Sequence, residues 1–452
     1  MRRSVSLYNS MPIETAVARE ATYDAEIFAP SALSGSEMFR ASSILRPWFL
    51  GLCVTLVQLI VAVLLLAPEG PFSFRYQSLV QHDGYWFLNI IERGYQTTVP
   101  PINHKVMEVS NVAFFPAYPL TTGLLHALGM ETDVALLVVA QICAFGFWAY
   151  FFLFCERWKL SPVLRSLGAL SIFAHPAAFF LIAGYSESMF LMGLLGFLYW
   201  SSSDSRRAKT WAVLHGVIMS GTRIVGIPCA GVPVLQSILE GAASSAPKIG
   251  DTTTRVPPWN LRQHLSAMTM SILASMGAIG FFIYCQLRWG HWDMYMLTQS
   301  AGWGIVPDYL AIFRPSSYRW LVPALHNPVE MSQLATSLTM LAFIVLAIVE
   351  VASARRFETN WRQRIGLYAA AAIIYYISVS GVACVEMESM LRYQFCSHVL
   401  IVLAFLHFLR QCPVPPLPVR ALATATVVLA CAAGLIVQGW YVWNFTRGNW
   451  VA

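Results

Sequence analysis

Charge is what this sequence has least of. Only 12% of its 452 residues are Asp, Glu, Lys or Arg, 57% are hydrophobic, and the mean hydropathy is +0.58. A water-soluble domain carries about a quarter charged residues, so a soluble globular fold is excluded and the long uncharged runs point to an all-α polytopic membrane protein. A basic domain is also missing: the net charge of +6 comes from short clusters between apolar runs, which excludes a nucleic-acid partner. No C-x-x-C spacing occurs among the nine cysteines, and most of them fall inside apolar segments. They read as small buried hydrophobes rather than zinc ligands or a disulfide frame, with Cys384 and Cys396 the one pair flanking a loop. Internal repeats of fixed period and inverted symmetry are lacking too, which counts against a secondary transporter.

The apolar runs set the organisation. Residues 1–45 are polar with balanced charge, and the first run begins near Pro47, too late for a cleaved secretory signal. A disordered cytoplasmic tail is expected there, followed by a single integral membrane domain over 46–452. Candidate spans lie near 47–67, 134–154, 166–182, 187–203, 265–287, 333–354, 366–385, 393–409 and 421–441. The stretch 210–240 is interrupted at "SGTRIVG" and reads either as two short helices meeting near Arg223 or as one span with a buried arginine. Basic loops at 156–165, 203–209, 354–364 and 410–420 belong inside by the positive-inside rule, giving about eleven spans with the C-terminus outside. Parity then leaves no crossing for 113–130, so that segment is expected to be horizontal or re-entrant, its regular helix broken by Pro116 and Pro119. The first outer loop is 68–133 and a second large one is 288–332. The polar oddities gather on the outer face, which places a site at the outer interface.

Four clusters carry chemistry. In "HDGYWFLNIIERGY", a helix puts Asp83, Trp86, Phe87, Ile90 and Ile91 on one face, an amphipathic helix expected to lie on the bilayer. Asp83 at its start is either a helix cap or a catalyst. "GYSESMF" interrupts an apolar run with Tyr185, two serines and Glu187; the serines suit capping, whereas an ionisable Glu187 at a membrane boundary needs a partner or a task. Arg223 lies between apolar halves and must find an anion, either a carboxylate such as Glu187 or a phosphate that its forked guanidinium matches. In "EMESMLRYQF", Arg392, beside Tyr393, is a second anion ligand or else pairs with Glu388 four residues earlier. The Trp-rich stretch 284–304 suits sugar stacking or an aromatic belt, and its His291 and Asp293 fall short of a metal site.

Taken together and in order, "HDGYWFLNIIERGY", "NVAFFPAYPL", "HPAAFFLIAGYSESMF", "GTRIVG" and "MLRYQF" span residues 82 to 393 and resemble the PIG-V family. These are the GPI mannosyltransferase II proteins and their prokaryotic relatives within the GT-C glycosyltransferases. His82 stands where that family has a Trp before the acid, and Ile224 stands where a polar residue follows the arginine. The resemblance implies a GT-C-like bundle that transfers mannose from a polyprenyl- or dolichyl-phosphate donor to a glycolipid or glycan acceptor. The membrane would be a bacterial inner membrane or the endoplasmic reticulum, with the site on the outer or lumenal side. Asp83 would act as base, and His82, Tyr185, Glu187, Arg223, Arg392 and Tyr393 would hold the substrate and its phosphate. No cofactor is required, and a divalent metal is optional. Two alternatives are a transporter or flippase of a lipid-linked substrate, which needs its polar groups near mid-span, and a non-catalytic subunit of a transferase.

Overall fold

A computed structural model describes residues 41–97, 110–203, 205–244, 261–357 and 361–451 of the chain, and among these every regular element is a helix. The expected tail falls outside the described residues except for its last positions, which already belong to α1 (Ala41–Ile60), continued by a π-helical stretch Val61–Leu66. The first loop then holds three short helices: α2 (Phe72–Gln77), α3 (Asp83–Arg93) and α4 (Ala117–Ala127). The bundle continues with α5 (Thr132–Arg157), α6 (Pro162–Phe173), α7 (Glu187–Ser201), α8 (Arg206–Thr222), α9 (Gly226–Ala230) and α10 (Val232–Ser244). Next come α11 (Leu261–Ala274), bent by 47° into α12 (Met276–Trp289), and α13 (Met294–Trp303). The chain ends with α14 (Pro328–Phe357), α15 (Ile365–Val382), α16 (Met390–Gln411) and α17 (Leu417–Phe445).

Six of these helices (α1, α5, α14, α15, α16 and α17) are long and apolar enough to cross a membrane, and the bent pair α11–α12 makes a seventh if taken as one span. The chain is therefore an integral, multi-pass membrane protein. α5 and α16 bury 78% of their apolar stretches and stand at the centre, while α17 buries 11% and lies at the periphery. α7 is apolar all round and correspondingly buried, packed between α5 and α8. α8 and α12 approach closely because both carry glycine: a Cβ on Gly277 would stand 2.2 Å from the Val217 carbonyl.

Three expectations are corrected. Residues 166–182 are not one span. Helix α6 stops at Phe173, and the chain turns through His175-Pro176 into a 3-10 turn at Ala178–Leu181. Proline disfavours the helical region for the residue before it. Gln438 of α17 makes the break tolerable, its Nε2 donating to the carbonyls of Phe173 (2.9 Å) and His175 (2.7 Å). Nor do Pro116 and Pro119 break a helix: they fall at the cap and first turn of α4, where missing donors cost nothing. The apolar face of α3 does not rest on lipid either. Phe87 and Ile90 are buried, Phe87 edge-on to Phe114 and Tyr118, because α4 and α5 cover that side. In 210–240, the two-helix reading holds, since the chain is extended at Arg223 between α8 and α9.

The basic runs gather at one end of the bundle. Arg157 at the end of α5 donates to the Tyr199 carbonyl at the end of α7. Arg364 makes a two-pronged pair with Glu350 and reaches Gln411 at the end of α16. The opposite end, where α7 and α16 begin and α8 stops, carries the four polar clusters.

Candidate active site

Asp83 is the first residue of α3 and caps nothing. The capping position belongs to His82, whose side chain makes no capping bond and whose backbone is held at φ 46°. A non-glycine residue there stores about 1–3 kcal/mol and persists only where its surroundings fix it. Here the His82 ring stands 3.2 Å from the Asn449 carbonyl and edge-on to Trp450, so the C-terminal residues lock the entry to α3. Burial lowers the His82 pKa below the ordinary histidine value, against the opposing pull of the Asn449 carbonyl and Asp83. The backbone N–H of Asp83 donates to the Tyr185 hydroxyl at 3.4 Å. Burial first, and then the neighbouring Asp83 carboxylate, push the Tyr185 phenol well above its usual range, so it stays protonated. Gly84 follows because the chain passes under Val80 and the Gly184 carbonyl, which a Cβ would meet at 2.9 and 3.3 Å.

The Asp83 carboxylate turns instead to Arg392, in the first turn of α16 and 309 residues away: Arg392 Nη1 donates to Asp83 Oδ2 at 2.6 Å. Nη2 of the same guanidinium reaches the Tyr393 hydroxyl at 3.2 Å, and its Nε stands 3.4 Å from Glu187 Oε1. That glutamate oxygen also accepts from Arg223. Glu187 is wholly buried and shared by two guanidiniums, while its second oxygen has no hydrogen-bond partner among the described residues. Two acids and two arginines thus form one neutral chain, Asp83–Arg392–Glu187–Arg223, as buried charges require. The aromatic rings of Tyr185, Tyr393 and Phe180 stand 5.0–5.6 Å from the Arg392 guanidinium.

Above this chain opens a cavity of about 1020 Å³. His82, Asp83, Tyr185, Arg223, Arg392 and Tyr393 all line it, whereas Glu187 lies beneath the arginines and off its wall. Three further wall residues carry other readings in the sequence: Trp303 lies in the stretch suited to sugar stacking or an aromatic belt, Trp86 on the face expected to rest on the bilayer, and Glu388 four residues before Arg392. Trp303 and Trp86 form an aromatic corner with Phe114, their ring centroids 5.6–6.2 Å apart. Glu388, read above as a partner for Arg392, faces the cavity and, among the described residues, has no ion pair or side-chain hydrogen bond. Its turn is set by Glu386, Met387 and Ser389, all left-handed at φ 55°, 68° and 64°, with Met387 buried as the anchor. Nothing local in "EMESM" distinguishes a carboxylate aimed at the cavity from one aimed along the helix.

Other candidates stay apart. His291 and Asp293 face each other at 3.8 Å, and among the described residues no three His, Cys, Asp or Glu side chains come close enough together to hold a metal ion. Cys384 and Cys396 are both free thiols; Cys384 is exposed and contacts the Gly304 carbonyl, while Cys396 is buried. The charged groups of the site stand at helix ends on one side of the bundle, not at mid-span.

No protein-family model matches this sequence, and no curated protein matches it. Among solved structures, it is similar to the Archaeoglobus fulgidus oligosaccharyltransferase in the apo form, with TM-score 0.44 and 12% identity over 92% of this chain and 57% of that one. The same enzyme tethered with an acceptor peptide gives TM-score 0.43 and 11% identity over 91% and 56%. The archaeal oligosaccharyltransferase AglB from that organism, in complex with an inhibitory peptide and a dolichol-phosphate, gives 0.42 and 11% over 90% and 56%. The chain spans little more than half the length of each. A likeness of this degree concerns the general course of the helices, and no residue role is carried over from it.

Proposed function

We propose that this protein is a membrane glycosyltransferase of the GT-C type, moving mannose from a polyprenyl- or dolichyl-phosphate donor to a glycolipid or glycan acceptor at the outer or lumenal face. The observation that carries the proposal is the meeting of Asp83 with Arg392, beside Arg223, on the wall of one large cavity. Transfer needs a base for the acceptor hydroxyl and cations for the departing phosphate, and these groups supply both.

The acceptor oxygen attacks the anomeric carbon as its proton passes to Asp83. The bond from that carbon to the phosphate oxygen breaks, and its electron pair leaves with the lipid phosphate. Arg392 and Arg223 take the growing negative charge where water is scarce. One displacement inverts the anomeric centre. Before the donor arrives, Arg392 is occupied by Asp83. A donor phosphate competes for that guanidinium, and the exchange frees the carboxylate to act as base. Glu187, bridging both arginines from below, keeps them in place through the exchange.

The test is sugar transfer by the purified chain in lipid nanodiscs with polyprenyl-phosphate mannose and a crude lipid acceptor, comparing Asp83→Asn with the unaltered protein. Loss of at least a hundredfold in rate, with unchanged folding, supports the assignment. If Asp83→Asn transfers normally, the base is elsewhere on the wall and Glu388 is next, because buried Glu187 cannot reach an acceptor. An unaltered chain that consumes no sugar donor refutes the proposal and leaves the subunit reading.

A further inference from the structure

The segment between α13 and α14 is a long connection beside the cavity. It is irregular apart from two 3-10 turns at Ala311–Phe313 and Pro315–Ser317, and it exposes Leu310, Phe313, Trp320, Leu321 and Val322, the last at 91%. So large an apolar surface marks a contact with something other than water. Its path identifies the contact. The N–H of Asp308 donates to the Ser380 carbonyl (2.8 Å) near the upper end of α15, and the N–H of Arg319 donates to Ser337 Oγ (2.8 Å). Ser337 lies nine residues, roughly 14 Å, along α14 from its start at Pro328. The chain therefore descends beside α14 before returning to it, along the surface where Leu338, Leu341 and Val345 are themselves exposed.

The charges follow the same geometry. Between Ile305 and Leu325 only Asp308, Arg314 and Arg319 are charged. Asp308 pairs with Arg314 at 2.5 Å, and Arg319 pairs with Glu330 at 3.1 Å. The second pair is directional. The Arg319 backbone is fixed at Ser337, yet its guanidinium climbs to Glu330, seven residues, about 10 Å, nearer the start of α14. A basic side chain that runs from a deep backbone towards the surface is snorkelling, as arginines do in lipid.

We infer that residues 305–325 are set into the interfacial zone of the leaflet at the active-site end, with Phe313, Leu321 and Val322 among lipid acyl chains and Trp320 at headgroup level. At that level, backbone groups still meet water, so irregular chain is tolerated. The inner side of the segment, Ile305, Pro307 and Tyr309, lines the cavity, making it the wall between bilayer and site.

The test uses a nitroxide on Val322→Cys in the full chain, with the partly exposed Cys53, Cys384 and Cys412 replaced by Ala, reconstituted in phosphatidylcholine vesicles. Leu341→Cys on α14 gives the lipid reference and His291→Cys, on the exposed turn before α13, the aqueous one. Collisions with oxygen should lie above those at His291→Cys and at or below those at the deeper Leu341→Cys, and collisions with the water-soluble nickel complex should fall several-fold below those at His291→Cys. Nickel access equal to the aqueous reference would make the segment a water-exposed lid. Low access to both reagents would mean that protein covers it. Either result overturns the inference, and neither depends on transferase activity.

Discussion

Replacing Glu187 by Gln tests whether the four charges form one unit. The side chain keeps its volume and one oxygen, so the change isolates the charge. Glu187 is fully buried, Arg392 is 5% exposed and Arg223 is 19% exposed. Removing one partner of a buried pair costs about 3–5 kcal/mol, because the remaining charge is left uncompensated. Two features of the site lower that figure. Arg392 keeps Asp83 at 2.6 Å, and Arg223 opens onto the cavity, where water can solvate it. The expected loss is therefore near the lower limit, about 3 kcal/mol, read as the shift in the equilibrium unfolding of the full chain in mixed detergent micelles. A double-mutant cycle with Arg223→Met sharpens the test. The arginine substitution should cost less in the Glu187→Gln background than alone, by about 1–3 kcal/mol of coupling. A Glu187→Gln chain within about 0.5 kcal/mol of the original, with additive double-mutant energies, would refute the shared-carboxylate arrangement.

Arg392→Lys keeps the positive charge but not the fork that reaches Asp83 and Tyr393 together; transfer should fall at least tenfold while the chain still purifies as a folded monodisperse species, and an unchanged rate would mean that a point charge suffices. His82 provides a pH test. Its folded pKa is depressed by burial, so an unfolded chain takes up the proton first, and the stability held above about pH 6.5 is lost as the pH falls. Unfolding followed from pH 7.5 to 5 should show this decline, and His82→Gln should flatten it; an equally steep decline in the variant would assign the effect to other groups.

The parts of this fold legible in sequence are those where a polar residue interrupts an apolar run. Asp83, Glu187, Arg223 and Arg392 all announce themselves in that way, and the break at "SGTRIVG" correctly separates α8 from α9. Their pairing does not. Spacing along a helix offers Arg392 a local partner in Glu388, but the structure pairs it with Asp83 from the first loop and leaves Glu388 facing the cavity. Which helix ends meet is fixed by long-range packing, and a period of 3.6 carries no information about it. The apolar stripe of α3 fails for a different reason. Phe87 and Ile90 suit a lipid surface and a protein neighbour equally, because hydrocarbon tails are as apolar as leucine. Hydropathy also counts residues without asking whether they form one helix. It therefore joined 166–182 across His175-Pro176, where the exposed carbonyls are answered by Gln438 from the far end of the chain. The same blindness hid the segment 305–325: its apolar residues are too scattered to score as a span, and only the register of Arg319 against Ser337 and Glu330 gives their depth. In a bilayer the apolar residues say that a surface is dry. The hydrogen bonds and ion pairs of the few polar ones say where that surface lies and what it faces.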